Sequence, residues 1–185
     1  MRAVILEIDE GMLAERARLG LDRRDEMWER VLHVVPQPSG RHQVLATALT
    51  RYLYDHAARR GCEVANEIGT YAEDRDYRVP DVAVFPRSSR VGRGVDGPPL
   101  VLFEILSPGD ESREKVPWYL SRGSVAVVIL NPDTFAVEVH TAAGPTAADD
   151  DGLTTIPGLD ARLGPSADGS ALLVETDDGL HRIEV

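Results

Sequence analysis

Two short apolar runs, each interrupted by one carboxylate, constrain this chain more than any other feature: Val79-Pro-Asp81-Val-Ala-Val-Phe85 and Val101-Leu-Phe-Glu104-Ile-Leu106. Both read as strands, the first from Arg78 to Phe85. Side chains alternate along a strand, so Asp81 shares a face with Val79, Ala83 and Phe85, and Glu104 shares one with Leu102 and Leu106. The opposite faces are apolar too, the pattern of strands covered on both sides. A carboxylate in such a position is costly unless it is paired, hydrogen-bonded or bound to a cation. Taken singly, Asp81 could serve a turn after Pro80 and Glu104 could pair with a buried arginine. Together on neighbouring strands they form the oxygen-ligand pair that a magnesium ion takes beside water and a substrate phosphate.

The segment after the second run adds Lys115, the sole lysine of a chain with 19 arginines. An ammonium is a compact, deprotonatable point charge, suited to general-base or electrostatic work that a guanidinium does not do. Its plain alternative is an exposed helix lysine. Ser107 either caps the following helix or touches substrate, and His42 is either a cap or surface residue or a neighbour of a site at its helix end. Glu29, Glu63 and Glu67 could each add a metal ligand, with solvent-facing positions as the default reading. The remaining histidines have no metal-ligand spacing. There is no phosphate-cradling glycine motif, no Gly-x-Ser-x-Gly elbow and no His-Glu-x-x-His.

Around this stretch the periodicity predicts a short strand in residues 1–8, a helix from Glu10 to Leu19, and a strand from Trp28 to Val35 that Pro36-Gln-Pro-Ser-Gly40 breaks. A helix over Arg41 to Arg60 buries Val44, Leu45, Leu49, Tyr52, Leu53 and Ala57 on one face and stops at Gly61. A strand over Cys62 to Tyr71 and a polar turn lead into the first acid-bearing run. After the second come a helix from Glu111 to Arg122 containing Pro117, with Trp118 and Tyr119 packing it on the sheet, and strands at Val125 to Leu130 and Phe135 to His140. Ala142 to Asp151 reads as a flexible link, and Ser170 to Val185 as a terminal hairpin. The fold class is α/β (α+β), a mixed sheet with helices packed against it.

Charge enters where a partner is at issue. The chain carries a net charge of -11, against the Lys and Arg that hold nucleic-acid backbones. Residues 145–185 hold nine acids and two arginines, leaving a net charge of -4 on residues 1–144. Arg87, Arg90 and Arg93 between the two runs, with Arg113, Lys115 and Arg122 after them, make a local basic patch or a solvated loop. Cys62 alone excludes an internal disulfide and reads as a small buried hydrophobe. No apolar run reaches the roughly 20 residues of a membrane span, and the expected location is cytoplasmic.

The combination Pro36-Gln-Pro-Ser-Gly-Arg-His42, Val79-Pro-Asp81-Val-Ala-Val, Phe103-Glu104-Ile-Leu-Ser-Pro108, Lys115 with Tyr119, Gly123 and Ile129-Leu-Asn-Pro-Asp133 resembles the Uma-two family of the PD-(D/E)XK nuclease-like superfamily, over about residues 25 to 140. The resemblance implies a restriction-endonuclease-like core, with extra N-terminal and C-terminal strands. It divides the chain into an N-terminal extension (1–24), a nuclease domain (25–144) and an acidic C-terminal extension (145–185) packing on that domain. It implies Asp81 and Glu104 as metal-binding acids for Mg2+ or Mn2+ and Lys115 as the catalytic lysine. The superfamily's usual Glu-x-Lys would place lysine at 106, where this chain has Leu106; the Uma-two pattern takes it from the following helix. Arg30 stands where the family often has glycine. The expected function is metal-dependent hydrolysis of nucleic-acid phosphodiesters, with DNA as partner, Ser107 and His42 at the substrate, and a homodimer as the form that reaches both strands. The rival is a nuclease fold retained for binding or oligomerisation without catalysis. A third reading is a metal-dependent hydrolase of a small phosphorylated substrate.

Overall fold

The computed structural model describes residues 3–6, 8–92, 94–109 and 111–185. In chain order, β1 (Ala3–Ile5) and α1 (Glu10–Arg18) precede β2 (Glu26–Trp28), β3 (Val31–Val34) and the long helix α2 (Gly40–Arg59). Next come β4 (Cys62–Asn66), β5 (Thr70–Glu73), β6 (Asp76–Arg78), β7 (Val82–Pro86), β8 (Arg90–Val91) and β9 (Gly94–Asp96). β10 (Val101–Ile105) leads through α3 (Ser112–Ser121) to β11 (Ala126–Leu130), β12 (Val137–Thr141) and β13 (Gly144–Thr146). The chain closes with β14 (Thr154–Ile156), β15 (Ala161–Pro165), β16 (Leu172–Thr176) and β17 (Gly179–Ile183).

Among the described residues these strands form three sheets, in the orders β1-β3-β2-β6-β5-β9-β8, β13-β12-β11-β10-β7-β4 and β14-β15-β16-β17. The second is the central sheet. It is antiparallel apart from β10 and β11, which run parallel across the α3 crossover. Helix α2 starts at Ser39, whose hydroxyl accepts the His42 N–H at 3.2 Å, a cap that satisfies one of the free donors of the first turn. Its buried side, Leu45, Leu49, Leu53 and Ala57, packs with Val82, Val84, Phe103 and Ile105 of the central sheet and with Leu163, Leu172 and Val174 of the C-terminal sheet in one core. Leu102, Val127 and Ile129 face the other way and meet Val116 and Tyr119 of α3. The central strands are thus covered on both sides, which is why their sequence is apolar on both faces. Cys62 is buried in this core. Among the described residues no helix is long and apolar enough to cross a membrane.

Several expectations change. Val44, expected on the buried face of α2, is 53% exposed. The strand expected from Trp28 to Val35 is a hairpin whose two turn residues, Glu29 and Arg30, take φ values of 48° and 76°. Such a turn is usually marked by Asn or Gly, and neither is present. Here the adjacent turn supports it, Arg30 N–H donating to Arg75 O at 2.9 Å. Arg30 therefore sits in the left-handed region that favours glycine. The strand expected from Cys62 to Tyr71 breaks at Glu67, whose φ is 49°. The run from Arg78 to Phe85 divides at Val79-Pro80-Asp81, so β6 belongs to the N-terminal sheet and β7 to the central one. Pro80 has no N–H for a ladder, and the break lets Asp81 leave the alternation of β7. The expected link from Ala142 to Asp151 holds β13, which pairs with β12, and the terminal hairpin is half of a four-stranded sheet.

Candidate active site

The antiparallel register of β7 and β10 pairs Val82 with Phe103 and Ala83 with Leu102. One step further along, Asp81 stands opposite Glu104 at the end of the strand pair. Asp81 Oδ2 fixes this end by accepting the Ile105 N–H at 2.7 Å. Its Oδ1 lies 2.9 Å from His42 Nε2, and His42 Nδ1 lies 3.3 Å from Ser107 Oγ. The first turn of α2 and the loop after β10 thereby meet over Asp81.

Glu104 points to the α3 side of the sheet. Lys115 and Tyr119 are four residues apart on that helix and so share a face. Lys115 Nζ donates to Glu104 Oε2 at 2.8 Å, and Tyr119 OH donates to Glu104 Oε1 at 3.1 Å. Lys115 also donates to Glu26 Oε1 at 3.0 Å. Glu26, on β2, accepts in addition the Val79 N–H at 2.9 Å and the Trp28 indole N–H at 2.7 Å. Glu26, Glu104 and Lys115 are 1%, 2% and 8% exposed, so two carboxylates and one ammonium share a space that water barely enters, with the half-buried Asp81 beside them.

The electrostatics follow from that count. Burial pushes the Glu104 carboxyl up, Lys115 pulls it back, and Asp81 and Glu26 push it further, to about 8. Burial works against the charge on Lys115, but Glu104, Glu26 and Asp81 outweigh it and hold the ammonium above its ordinary range. Burial beside Glu104 raises the Tyr119 phenol, which stays a donor.

These groups open into a cavity of about 300 Å³. Glu104 and Lys115 line it, with Val34, Val35, Pro36, Val79 and Pro108 as apolar walls. Arg24 lines it too and is paired with Glu67 at 3.2 Å. Behind the acids lies a stack. Arg78 is 4% exposed, and its guanidinium lies 4.5 Å from the ring centres of both Trp28 and Trp118. His33 stacks on Trp28 at 4.1 Å and contacts Glu111 at 2.8 Å. Cation–π contacts of this desolvated kind contribute of order 2 kcal/mol each. They fix β2, β6 and α3 relative to one another and so set where Glu26 meets Lys115.

Asp81, Glu104, Lys115, His42 and Ser107 all line this one cavity. Ser107 is not the helix cap, since α3 begins after Glu111 with no side-chain cap bond. Glu63 pairs instead with Arg87 and Arg90 on the surface, Glu29 occupies the hairpin turn, and Glu67 lies at the cavity beside Arg24. Arg93 lies outside the described residues. Sequence reasoning missed Glu26. The signal was the spacing of Glu26 and Trp28, two apart on one face of a strand whose other face carries the buried Met27, just ahead of where that strand was expected to begin.

The donor set suits a hard divalent cation: three carboxylates stand against one lysine, and the Glu104 carboxyl, raised first by burial and then by Asp81 and Glu26, is one that a cation would favour in its ionised form. Among the described residues no three acidic, histidine or cysteine side chains stand in a ready ligand arrangement, because Lys115, Tyr119, His42 and the Ile105 N–H occupy the carboxylate oxygens. A cation would take the place of some of these donors.

No curated protein matches the chain. The crystal structure of "a putative nuclease belonging to DUF820 from Anabaena variabilis ATCC 29413" superposes with a TM-score of 0.63 at 21% identity, covering 74% of this chain and 83% of that one. At that identity the likeness is one of fold. The electron-microscopy structure of a DrdV-DNA complex gives a TM-score of 0.37 at 13% identity, covering 55% of this chain and 9% of that one, too low to carry argument. The family model described as "Uma2: Putative restriction endonuclease" matches residues 15–160, and with most of its length matched this chain belongs to the Uma2 family.

Proposed function

We propose that the protein is a metal-dependent phosphodiesterase, an endonuclease-like hydrolase of nucleic acid with DNA as its first candidate substrate. What carries this reading is the convergence of Glu26, Asp81 and Glu104 with the chain's sole lysine at one cavity. Asp81 and Glu104 would hold Mg2+ or Mn2+, with Glu26 as a third carboxylate. The bound cation supplies Lewis acidity toward a phosphoryl oxygen and lowers the pKa of water. Because its three carboxylate neighbours keep Lys115 protonated, it serves as a fixed positive charge against the developing phosphorane and orients the attacking water, rather than acting as a general base. In the reaction a water oxygen bonds to phosphorus and one ester P–O bond breaks. The water's proton leaves to solvent and the departing sugar oxygen takes one up. Tyr119 holds Glu104, His42 holds Asp81, and Ser107 and His42 face the substrate.

The test is a nicking assay on DNA and RNA with Mg2+ or Mn2+, comparing wild type with Asp81→Ala, the near-isosteric Asp81→Asn, and Lys115→Ala. Equal activity in all of them would sink the reading. A non-catalytic binding or oligomerising module is the second reading, favoured by the fact that protein donors already engage both oxygens of each of these carboxylates. Calorimetric titration with Mg2+ separates the two, since a binding module need not take up the cation at Asp81 and Glu104. Sedimentation with and without DNA tests whether two copies pair.

A further inference from the structure

We propose that the cavity admits one unpaired nucleotide, from a single strand or flipped out of a helix, and not a phosphate of an intact duplex; this rests on the phosphodiesterase reading above. Four observations point the same way. Glu104 and Lys115 are 2% and 8% exposed, so a reacting phosphate must descend to them, whereas a phosphate of a stacked duplex is held at the rim by its neighbours and reaches a recessed site by leaving the stack. The cavity, about 300 Å³, is at the small end of pockets that enclose a single small ligand. Val34, Val35, Pro36 and Pro108 line it, surfaces that suit a sugar and the face of a base and offer nothing to a hydrated phosphate backbone.

The fourth observation is charge. Duplex binding depends on cations that displace counterions along the backbone. Arg24 at the cavity is paired with Glu67, Arg87 and Arg90 both with Glu63, and Arg113 with Glu138 at 2.5 Å. Among the described residues these four arginines around the cavity and the following loop and helix each have a carboxylate alongside, on a chain of net charge -11.

The experiment uses the full chain and one fluorescently labelled DNA sequence in three forms: single-stranded, fully paired, and paired with one extrahelical nucleotide. Anisotropy in Ca2+ reads binding, and gel assays in Mg2+ and Mn2+ read cleavage, with bis(p-nitrophenyl) phosphate as a small diester. The single-stranded and extrahelical forms are expected to bind at least about tenfold more tightly than the paired one, a difference of about 1.4 kcal/mol, and to be cut in preference. A paired form bound or cut as well as the others overturns the proposal and leaves the hydrolase reading standing. If no diester is cleaved, the hydrolase reading fails, and the anisotropy ranking still decides what the cavity accepts. Val35→Trp, at a half-exposed wall position, is expected to weaken single-strand binding by a similar factor while the circular dichroism spectrum stays native; unchanged binding places the strand elsewhere and overturns the proposal.

Discussion

Two ionic clusters join distant parts of this chain, and they are built with different charge balance. Beneath the cavity, Glu26, Asp81 and Glu104 surround one lysine, and the Glu104 carboxyl is raised to about 8. At the far end of α2, three basic side chains face three acids of the C-terminal region, Asp160, Asp177 and Asp178. His56, fully buried, contacts Asp177 through Nδ1 and the Leu159 carbonyl through Nε2 at 2.6 Å. Arg59 reaches Asp177 at 2.8 Å and Asp178 at 2.6 Å, and Arg60 reaches Asp177 at 3.3 Å. Arg59 first, and His56 after it, hold the Asp177 carboxyl well below the usual carboxylate range. The second cluster is electrostatically satisfied and works as a latch between α2 and the β16–β17 hairpin. The first is short of positive charge. Burial of ions does not by itself separate a candidate reactive site from a structural tie; an uncompensated excess of acids is what sets the first cluster apart.

The strongest way to break this contrast is Lys115→Met. Losing the cation from among buried carboxylates should cost about 3–5 kcal/mol of stability in urea titrations and lower cleavage by about 100- to 1000-fold. Adding Glu104→Gln should restore part of the stability and none of the activity. Wild-type stability in the single variant would mean that the cluster is no more strained than a surface pair. His56→Ala should cost about 2–4 kcal/mol, from the cavity and the stranded Leu159 carbonyl, with cleavage at low temperature unchanged. A parallel loss of cleavage would make the latch part of the site.

Acid and base should act on the two clusters in opposite directions. The raised Glu104 pKa means that the folded protein binds that proton more tightly than the unfolded chain, so without metal the melting temperature should fall as pH rises from about 4.5 to about 8, and divalent cation should reverse the fall. The lowered Asp177 pKa stabilises the fold above the ordinary value of 3.8 and is lost as the pH falls toward the folded value. Glu104→Gln should flatten the first slope and Asp177→Asn the second; an unchanged slope in either variant removes that group from its assigned cluster. Tyr119→Phe, which deletes the donor to Glu104 Oε1, should cost about 1 kcal/mol and shift the metal concentration needed for half activity. Arg30→Gly lies outside both clusters and calibrates them, with a gain of about 0.5 kcal/mol expected from relieving its positive φ.

Asp81, Glu104 and Lys115 were legible in the sequence because each breaks a local rule, two as acids in apolar runs and one as a lysine in an arginine-rich chain. The central sheet and its two covering helices were legible through periodicity. Glu26 was not, because the break that makes β2 a strand of its own is a turn of Glu29 and Arg30, residues that do not announce it. The split at Pro80 was hidden for a related reason: the apolar run continues through it, and the two halves are assigned to different sheets by long-range pairing. The latch was invisible in one dimension, since His56 and Asp177 lie 121 residues apart and each reads as an ordinary polar residue.

The stack of His33, Trp28, Arg78 and Trp118 has an optical consequence. The chain has two tryptophans, and both lie in that stack, one donating its indole N–H to Glu26 and the other to Asp76. All indole emission from this protein therefore originates in the stack behind the acids, Trp28 against an imidazole and both rings against the Arg78 guanidinium. A cation that draws Glu26 away from Trp28 would alter the intensity and wavelength of that emission, so the unlabelled protein carries its own gauge of whether the acids are occupied.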